Sequence, residues 1–437
     1  MTPEEKRAVR LERWLNPPGV EFRSQKAGKR YKERVTRLTK ALLLQEPDRV
    51  PVSLPAGNFP AYYSGLDLKT VMYDYKALRQ AYTTFLRDFD DYMDTYIGPG
   101  LTHSGSVLEI LNYRLYKWPG HGVADDVNTY QFVEGEYMFA NEYDALIKDP
   151  SDFVLRVLTP RLVGSLGGVA KLPPLSSTLG MPLRLVSPFT HKEVRDSFQS
   201  LIAAGREMEK WQKQISGFNR DALALGFPAF RGAMAVAPFD TLGDSMRGTQ
   251  GVILDMYRQP DKVLKALDVI TPITIDYAVA AVDAFNGFMC SFPLHKGDDT
   301  FMSDKQFEKF YWPSLRKVIL ALVKEGIMVM LFAEGKYLKR LPMVNDLPRG
   351  WVLWQFDQTD MAEAKRILGK NACIAGNVPT SITCTGTAAE VKEYCRKVIE
   401  TCKPGGGYIL MGGASATETC EANLKAFMEA AKEYGRY

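Results

Sequence analysis

The apolar positions of this chain change rhythm along its length, most sharply at Ile327-Met328-Val329-Met330-Leu331-Phe332. Six apolar residues without alternation predict a strand buried on both faces, as in a parallel sheet. Between Asp304 and Glu325 the residues Phe307, Tyr311, Leu315, Val318 and Leu322 recur at spacings of three and four, which predicts an amphipathic helix leading into that strand. The alternation continues on both sides. Strands are predicted at 288–292, 351–356, 373–377 and 408–411, and helices at 260–285, 361–368, 388–402 and 419–434. Upstream, 50–54, 92–97 and 229–236 supply three weaker strands. Eight short strands alternating with helices predict an α/β fold of the (β/α)8 TIM barrel class.

The flanking segments follow other patterns. Residues 1–45 form a basic helical extension, in which Arg23, Lys26, Lys29, Arg30, Lys32, Arg34, Arg37 and Lys40 oppose a stripe of Ala27, Tyr31, Val35, Leu38 and Leu42. Such a helix either packs on the main body with its charges in water or offers a docking surface to an acidic partner. The barrel is expected over 46–437, with an irregular insertion at about 100–226 between early strands. That insertion shows no independent core pattern and ends in a long helix from 192 to about 225. Trp118-Pro119-Gly120-His121-Gly122 reads as a fixed turn.

Composition narrows the function. A net charge of +4 is too small to imply nucleic acid, and no apolar run reaches the length of a membrane span. The first residues lack a signal-peptide core. Six cysteines occur without metal-ligand spacing, and Cys395 and Cys402 fall on a helix's apolar face. Core thiols in a reducing cytoplasm are the expectation.

Chemistry in a parallel barrel gathers at the carboxyl ends of the strands. There the sequence places Asn58, His295, Asp298, Asp299, Glu334, Asp357, Asn377 and the turn Gly412-Gly413-Ala414-Ser415. Glu334 follows the apolar strand directly, so loss of water would raise its pKa toward use as a proton donor. His295 precedes a double acid, and with Glu334 and Asp298 forms the candidate catalytic set. Asp298 or Asp299 capping a helix near Asp304, and Asp357 capping one near Asp360, are the structural alternatives. The final turn, with Ser415 and Thr417 ahead of a helix, offers backbone N–H groups to an anion. Phe59, Tyr62 and Tyr63 sit beside the first exit and suit the wall of a pocket for a flat ligand.

Several of these stretches carry a likeness. Glu46-Pro47-Asp48-Arg49-Val50-Pro51-Val52, Gly297-Asp298-Asp299, Phe332-Ala333-Glu334-Gly335, Ile374-Ala375-Gly376-Asn377-Val378 with Thr385-Gly386-Thr387, and Gly406-Gly407-Tyr408-Ile409-Leu410 resemble the uroporphyrinogen decarboxylase superfamily over roughly 45–437. The resemblance implies a (β/α)8 barrel and one of two activities, haem-pathway decarboxylation or corrinoid-dependent methyl transfer. The decarboxylases carry an arginine-rich signature after strand one, where this chain reads Leu54-Pro55-Ala56-Gly57-Asn58-Phe59. The thiol-methylating enzymes bind zinc through His-x-Cys and a later Cys, where this chain has Phe332-Ala333-Glu334 and about Ala414, so zinc through the usual ligands is not supported. A rearranged metal site of His295, Asp298 and Glu334 stays open.

The branch left is a methyltransferase that demethylates a small donor, such as a methoxylated aromatic, and passes the methyl to a corrinoid on a partner protein. Asn58, Phe59, Tyr62, Tyr63, Asp299, Asp357, Asn377 and Ser415 would bind the donor. The alternatives are decarboxylation of a substrate less charged than uroporphyrinogen, and non-catalytic binding of a corrinoid or tetrapyrrole.

Overall fold

The computed structural model describes residues 1–90, 93–96, 98–229 and 232–437. Six parallel strands lie side by side in chain order: Ala233–Met234, Met289–Leu294, Met328–Ala333, Val352–Phe356, Cys373–Val378 and Tyr408–Gly412. Single parallel bridges close the ring, from Leu410 to Val52, from Ser53 to Thr95 and from Tyr96 to Ala229. The stretches around Val52, Thr95 and Ala233 are therefore strands one to three, and the remaining five are strands four to eight. This is the predicted (β/α)8 barrel. The predicted strands at 92–97 and 229–236 include Tyr92, Ile97, Phe230 and Arg231, which lie outside the described residues.

All six residues of Cys373–Val378 and all five of Tyr408–Gly412 are buried, because helices cover one face and barrel side chains fill the other. The helices over Met361–Leu368 and Ala388–Cys402 match their prediction, with Cys395 and Cys402 in the core. The predicted helix at 304–325 is interrupted. Asp304–Gln306 passes into a wide turn at Phe307–Tyr311 before Trp312–Lys324 resumes. Pro313 lacks the N–H needed to continue a regular ladder through that point.

The amino-terminal helices cover the bottom of the barrel. Helix Pro3–Leu15 sends Arg10 to Gly287 O, Lys6 to Glu325 and Arg7 to Gly350 O, and these partners immediately precede strands four, five and six. Trp14 stacks on Phe288, ring centroids 4.2 Å apart. Helix Gln25–Leu42 buries Tyr31, Val35 and Leu38 as its stripe predicts, but part of its charge also points inward. Arg34 donates to Gly226 O and Asp90, and Arg37 binds both Asp48 and the fully buried Asp94. Those arginines hold the barrel floor, at the end away from the strand exits. The docking-surface reading thereby loses two of its cations.

The insertion corrects one expectation. Its long helix Lys192–Ala224 packs through Val194 on Leu166, Val169 and Leu172, with Leu155, Val163, Phe189 and Phe198 around them. This small core is separate from the main one. The period was hidden because Leu166, Val169 and Leu172 lie in or beside tight 3-10 turns at Gly164–Lys171, where side chains repeat every three residues.

Candidate active site

Strand five ends at Ala333, so Glu334 stands at the mouth of the barrel. Strand four ends at Leu294, and His295 follows it. His295 Nε2 lies 3.8 Å from Glu334 Oε1. The other ring nitrogen, Nδ1, is 2.6 Å from Asp244 Oδ2. Asp244 comes from helix Pro238–Ser245 after strand three, and its Oδ1 also meets Lys296 Nζ at 3.1 Å. A carboxylate, an imidazole and a second carboxylate therefore stand in a row across three strand exits.

Beneath them lies a buried support. Asp240, one helical turn before Asp244, accepts from the backbone N–H of His295 and of Lys296 and from the Tyr311 hydroxyl. These bonds fix the backbone from which the His295 ring projects, so its direction is set before any ligand binds. Lys296 completes the group through a bond of 2.8 Å to Thr249 Oγ1.

The surroundings set protonation. Burial works against charge on His295, yet the hydrogen bond and charge of Asp244, aided by Asp240 and Glu334, lift its pKa to about 9. The ring is thus an imidazolium at neutral pH. Partial loss of water raises Glu334 above the usual carboxylate range, His295 opposes that, and Asp357 and Asp244 add to it. Burial and the charge of Asp244 push Asp240 up to about 7. The Glu334 side chain is 42 % exposed, so it faces an open mouth rather than a closed interior.

Inside the mouth is a cavity of about 170 Å³. Leu101, Met234, Pro293, Phe332 and Met411 give it apolar walls, and Ser53, Gln355 and Ser415 contribute polar groups. Phe332 is one strand repeat below Glu334 and Gln355 one below Asp357, so the two acids belong to the layer above this chamber.

The other predicted residues are placed differently. Asp298 turns to its own loop, accepting from Thr300 Oγ1 and Phe301 N and packing behind Gly335. Asp299 accepts from Lys339 N and lies 3.7 Å from the buried Arg340. Neither caps the helix at Asp304, which Ser303 and Gln306 cap together. Asp357 accepts from Gly335 N, and the cap expected of it is made by Asp360. Asn377 is buried, donating to Thr359 O and accepting from Tyr394, so its amide is spent inside the wall.

Asn58 accepts from Thr102 and Tyr82, tying the first exit to the insertion. Phe59 and Tyr63 pack on Phe85, and Tyr63 also on Phe89, rather than lining the cavity; Tyr62 donates to Asn128 O. Rings do gather near the mouth, but from the insertion: Tyr116 packs against His103, Tyr113 and Tyr130, and Tyr130 donates to the carbonyl of cavity-lining Leu101. The anion loop after strand eight is also altered, since Gly413 N and Ala416 N donate to Val378 O and Pro55 O. Ser415 remains at the cavity.

Asp240 and Asp244 were missed from sequence. Their spacing of four puts both on one helix face directly after strand three, a readable signal once that strand is located.

The comparisons agree with this architecture. The uroporphyrinogen decarboxylase (URO-D) family model matches residues 223–434, which hold the His295–Glu334 pair. Relatives include uroporphyrinogen decarboxylase 2, chloroplastic, of Oryza sativa subsp. japonica, 27% identical over 225 residues, 49% of this chain and 53% of that protein. Uroporphyrinogen decarboxylase of Trichodesmium erythraeum is 25% identical over 222 residues, 49% and 58% of the two chains. The chain spans about half the length of the curated relatives it matches. A methyltransferase from Methanosarcina mazei shares the fold, with TM-score 0.57 at 15% identity over 91% of this chain and 98% of that one. Over residues 223–434, just under half of its length, the chain is similar to the uroporphyrinogen decarboxylase (URO-D) family.

Proposed function

We propose that this protein is a methyltransferase that demethylates a small donor, such as a methoxylated aromatic, and passes the methyl to a corrinoid carried by a partner protein. The observation that carries the reading is the Asp244–His295–Glu334 row above an apolar chamber. An ether oxygen leaves poorly as an anion, so methyl transfer from it needs a proton at that atom. Glu334, whose pKa is raised by partial loss of water, is the group placed to deliver that proton to the departing oxygen as the carbon–oxygen bond breaks. The imidazolium of His295 then stabilises the carboxylate left on Glu334, while Asp244 holds the ring in place. The corrinoid supplies the nucleophile that accepts the methyl.

The chamber suits a donor smaller than the drug-sized ligands that fill about 300–1,000 Å³. The family's thiolate zinc set does not fit these residues. Phe332 and Ala414 offer no donor atom at two of its places. That the fold neighbour is a methyltransferase is in keeping with the reading.

A second reading, decarboxylation of a substrate less charged than uroporphyrinogen, rests on the names of the matched relatives. The mouth argues against a polyanionic substrate. Asp244 and Asp357 gather there, and the nearby Lys296 is already paired with Asp244. A panel of methoxylated aromatics and methylamines, offered with cob(I)alamin and followed by absorbance, tests the proposal. Methylcobalamin formation supports it. Carbon dioxide release without a corrinoid would establish the second reading instead.

A further inference from the structure

Pro293, Phe332 and Gln355 stand side by side in one rung across strands four, five and six, and each is the single partly exposed residue of its strand. They line the chamber together with Ser53 from strand one. Ser53 is only 2 % exposed, yet among the described residues its hydroxyl makes no hydrogen bond, and packing does not seal it in. Gln355 spends its Nε2 on Gly412 O at 3.2 Å, and its Oε1 is left without a partner in the same way. A pure acceptor and a hydroxyl that can donate or accept therefore border a space with mostly apolar walls.

We infer that Ser53 and Gln355 select the donor: the chamber takes a single uncharged ring bearing a hydroxyl, and these two side chains bind that hydroxyl. This deepens the methyl-transfer reading and rests on it only for the direction of the methoxy group, toward Glu334. An apolar cavity of about 150 Å³ admits benzene. The chamber, at about 170 Å³, has room for one ring with small substituents.

The chemistry of the two atoms sets the class. Gln355 Oε1 only accepts, so the group opposite it must bring a proton. A phenolic O–H donates to it, while the phenolic oxygen accepts from the Ser53 hydroxyl, and both side chains are satisfied. A ring without a hydroxyl displaces water from both and replaces neither bond. A carboxylate is opposed more strongly. Its lone pairs would face Oε1, no charged side chain among the described residues lines the chamber, and Asp357 stands one strand repeat above Gln355. That repeat also orients the ring. Phe332 lies one repeat below Glu334, a rise of about 6.6 Å, which suits substituents on opposite carbons of the ring rather than on neighbours.

Calorimetric titration of the full chain with para-methoxyphenol, anisole and para-methoxybenzoate, without any corrinoid, tests the selection separately from methyl transfer. Wild type should bind para-methoxyphenol at least about tenfold more tightly than anisole, and para-methoxybenzoate about a hundredfold more weakly than para-methoxyphenol. In Ser53→Ala and in Gln355→Met the ratio of para-methoxyphenol to anisole affinity should fall toward one, a change in preference that a general loosening of the fold would not produce. Equal affinity for the phenol and anisole, tighter binding of the benzoate, binding of none of the three, or a wild-type ratio in both variants overturns the inference. The stated order without methylcobalamin formation would defeat the methyl-transfer reading and leave the selection standing. Methylcobalamin formed from anisole as readily as from para-methoxyphenol would keep that reading and overturn the selection.

Discussion

Replacing Asp244 with asparagine keeps the volume beside His295 but removes the charge that holds its proton. In the wild type His295 has a pKa of about 9 although burial opposes it, and Asp244 is the largest of the groups that lift it. Without that charge the ring should return to roughly 6–7, near the ordinary histidine value. At pH 8 the protonated fraction then falls from about nine-tenths to below about one-tenth. If the imidazolium steadies Glu334 during proton transfer, the rate at pH 8 drops roughly tenfold, while at pH 6 it changes about twofold or less. Only four histidines occur in the chain, so an NMR titration of the imidazole signals can follow His295 directly, with His295→Gln to assign it. A wild-type His295 that titrates near 6.5, or one whose pKa is unmoved in Asp244→Asn, refutes the reasoning.

Three further outcomes follow, two from the same network and one from the loop after strand four. Asp240→Ala strands three donors, the N–H groups of His295 and Lys296 and the Tyr311 hydroxyl, and should destabilise the fold by about 3 kcal/mol, read as a lower urea midpoint at unchanged slope. Arg340→Met removes a buried guanidinium that binds the carbonyls of Gly297, Asp298 and Met302, and should cost about 3 kcal/mol and loosen the loop after strand four, seen as faster amide exchange there. His295 has a folded pKa above its unfolded value. Its contribution to stability should be complete below about pH 6.5 and be lost as pH rises through about 9, a slope that His295→Gln flattens in thermal melts.

The barrel was legible because strands four to eight are buried on both faces and so read as unbroken apolar runs. Strands one to three touch their neighbours mostly through single bridges, and Pro51 and Gly232 dilute their pattern, which left their exits poorly located. That is why Asp240 and Asp244 escaped notice while Glu334 and His295 did not. Phe59 and Tyr63 misled for another reason. Sequence places them beside an exit, but helix Tyr75–Asp88 presents Phe85 to them, and the gain from burying aromatic surface turns them toward it. Acids at the exits were likewise ambiguous, since Asp298 and Asp299 carry the same residue type as Asp244 but satisfy loop amides.

The most direct test of the account is Glu334→Gln, a change that keeps the shape of the side chain and removes its proton. With wild type, cob(I)alamin and a methoxylated aromatic, methylcobalamin and the free phenol should appear in equal amounts. The variant should lose about 10²–10⁴-fold in that rate while retaining wild-type stability. Equal rates in the two proteins, or phenol release with no methyl on the corrinoid, would contradict it.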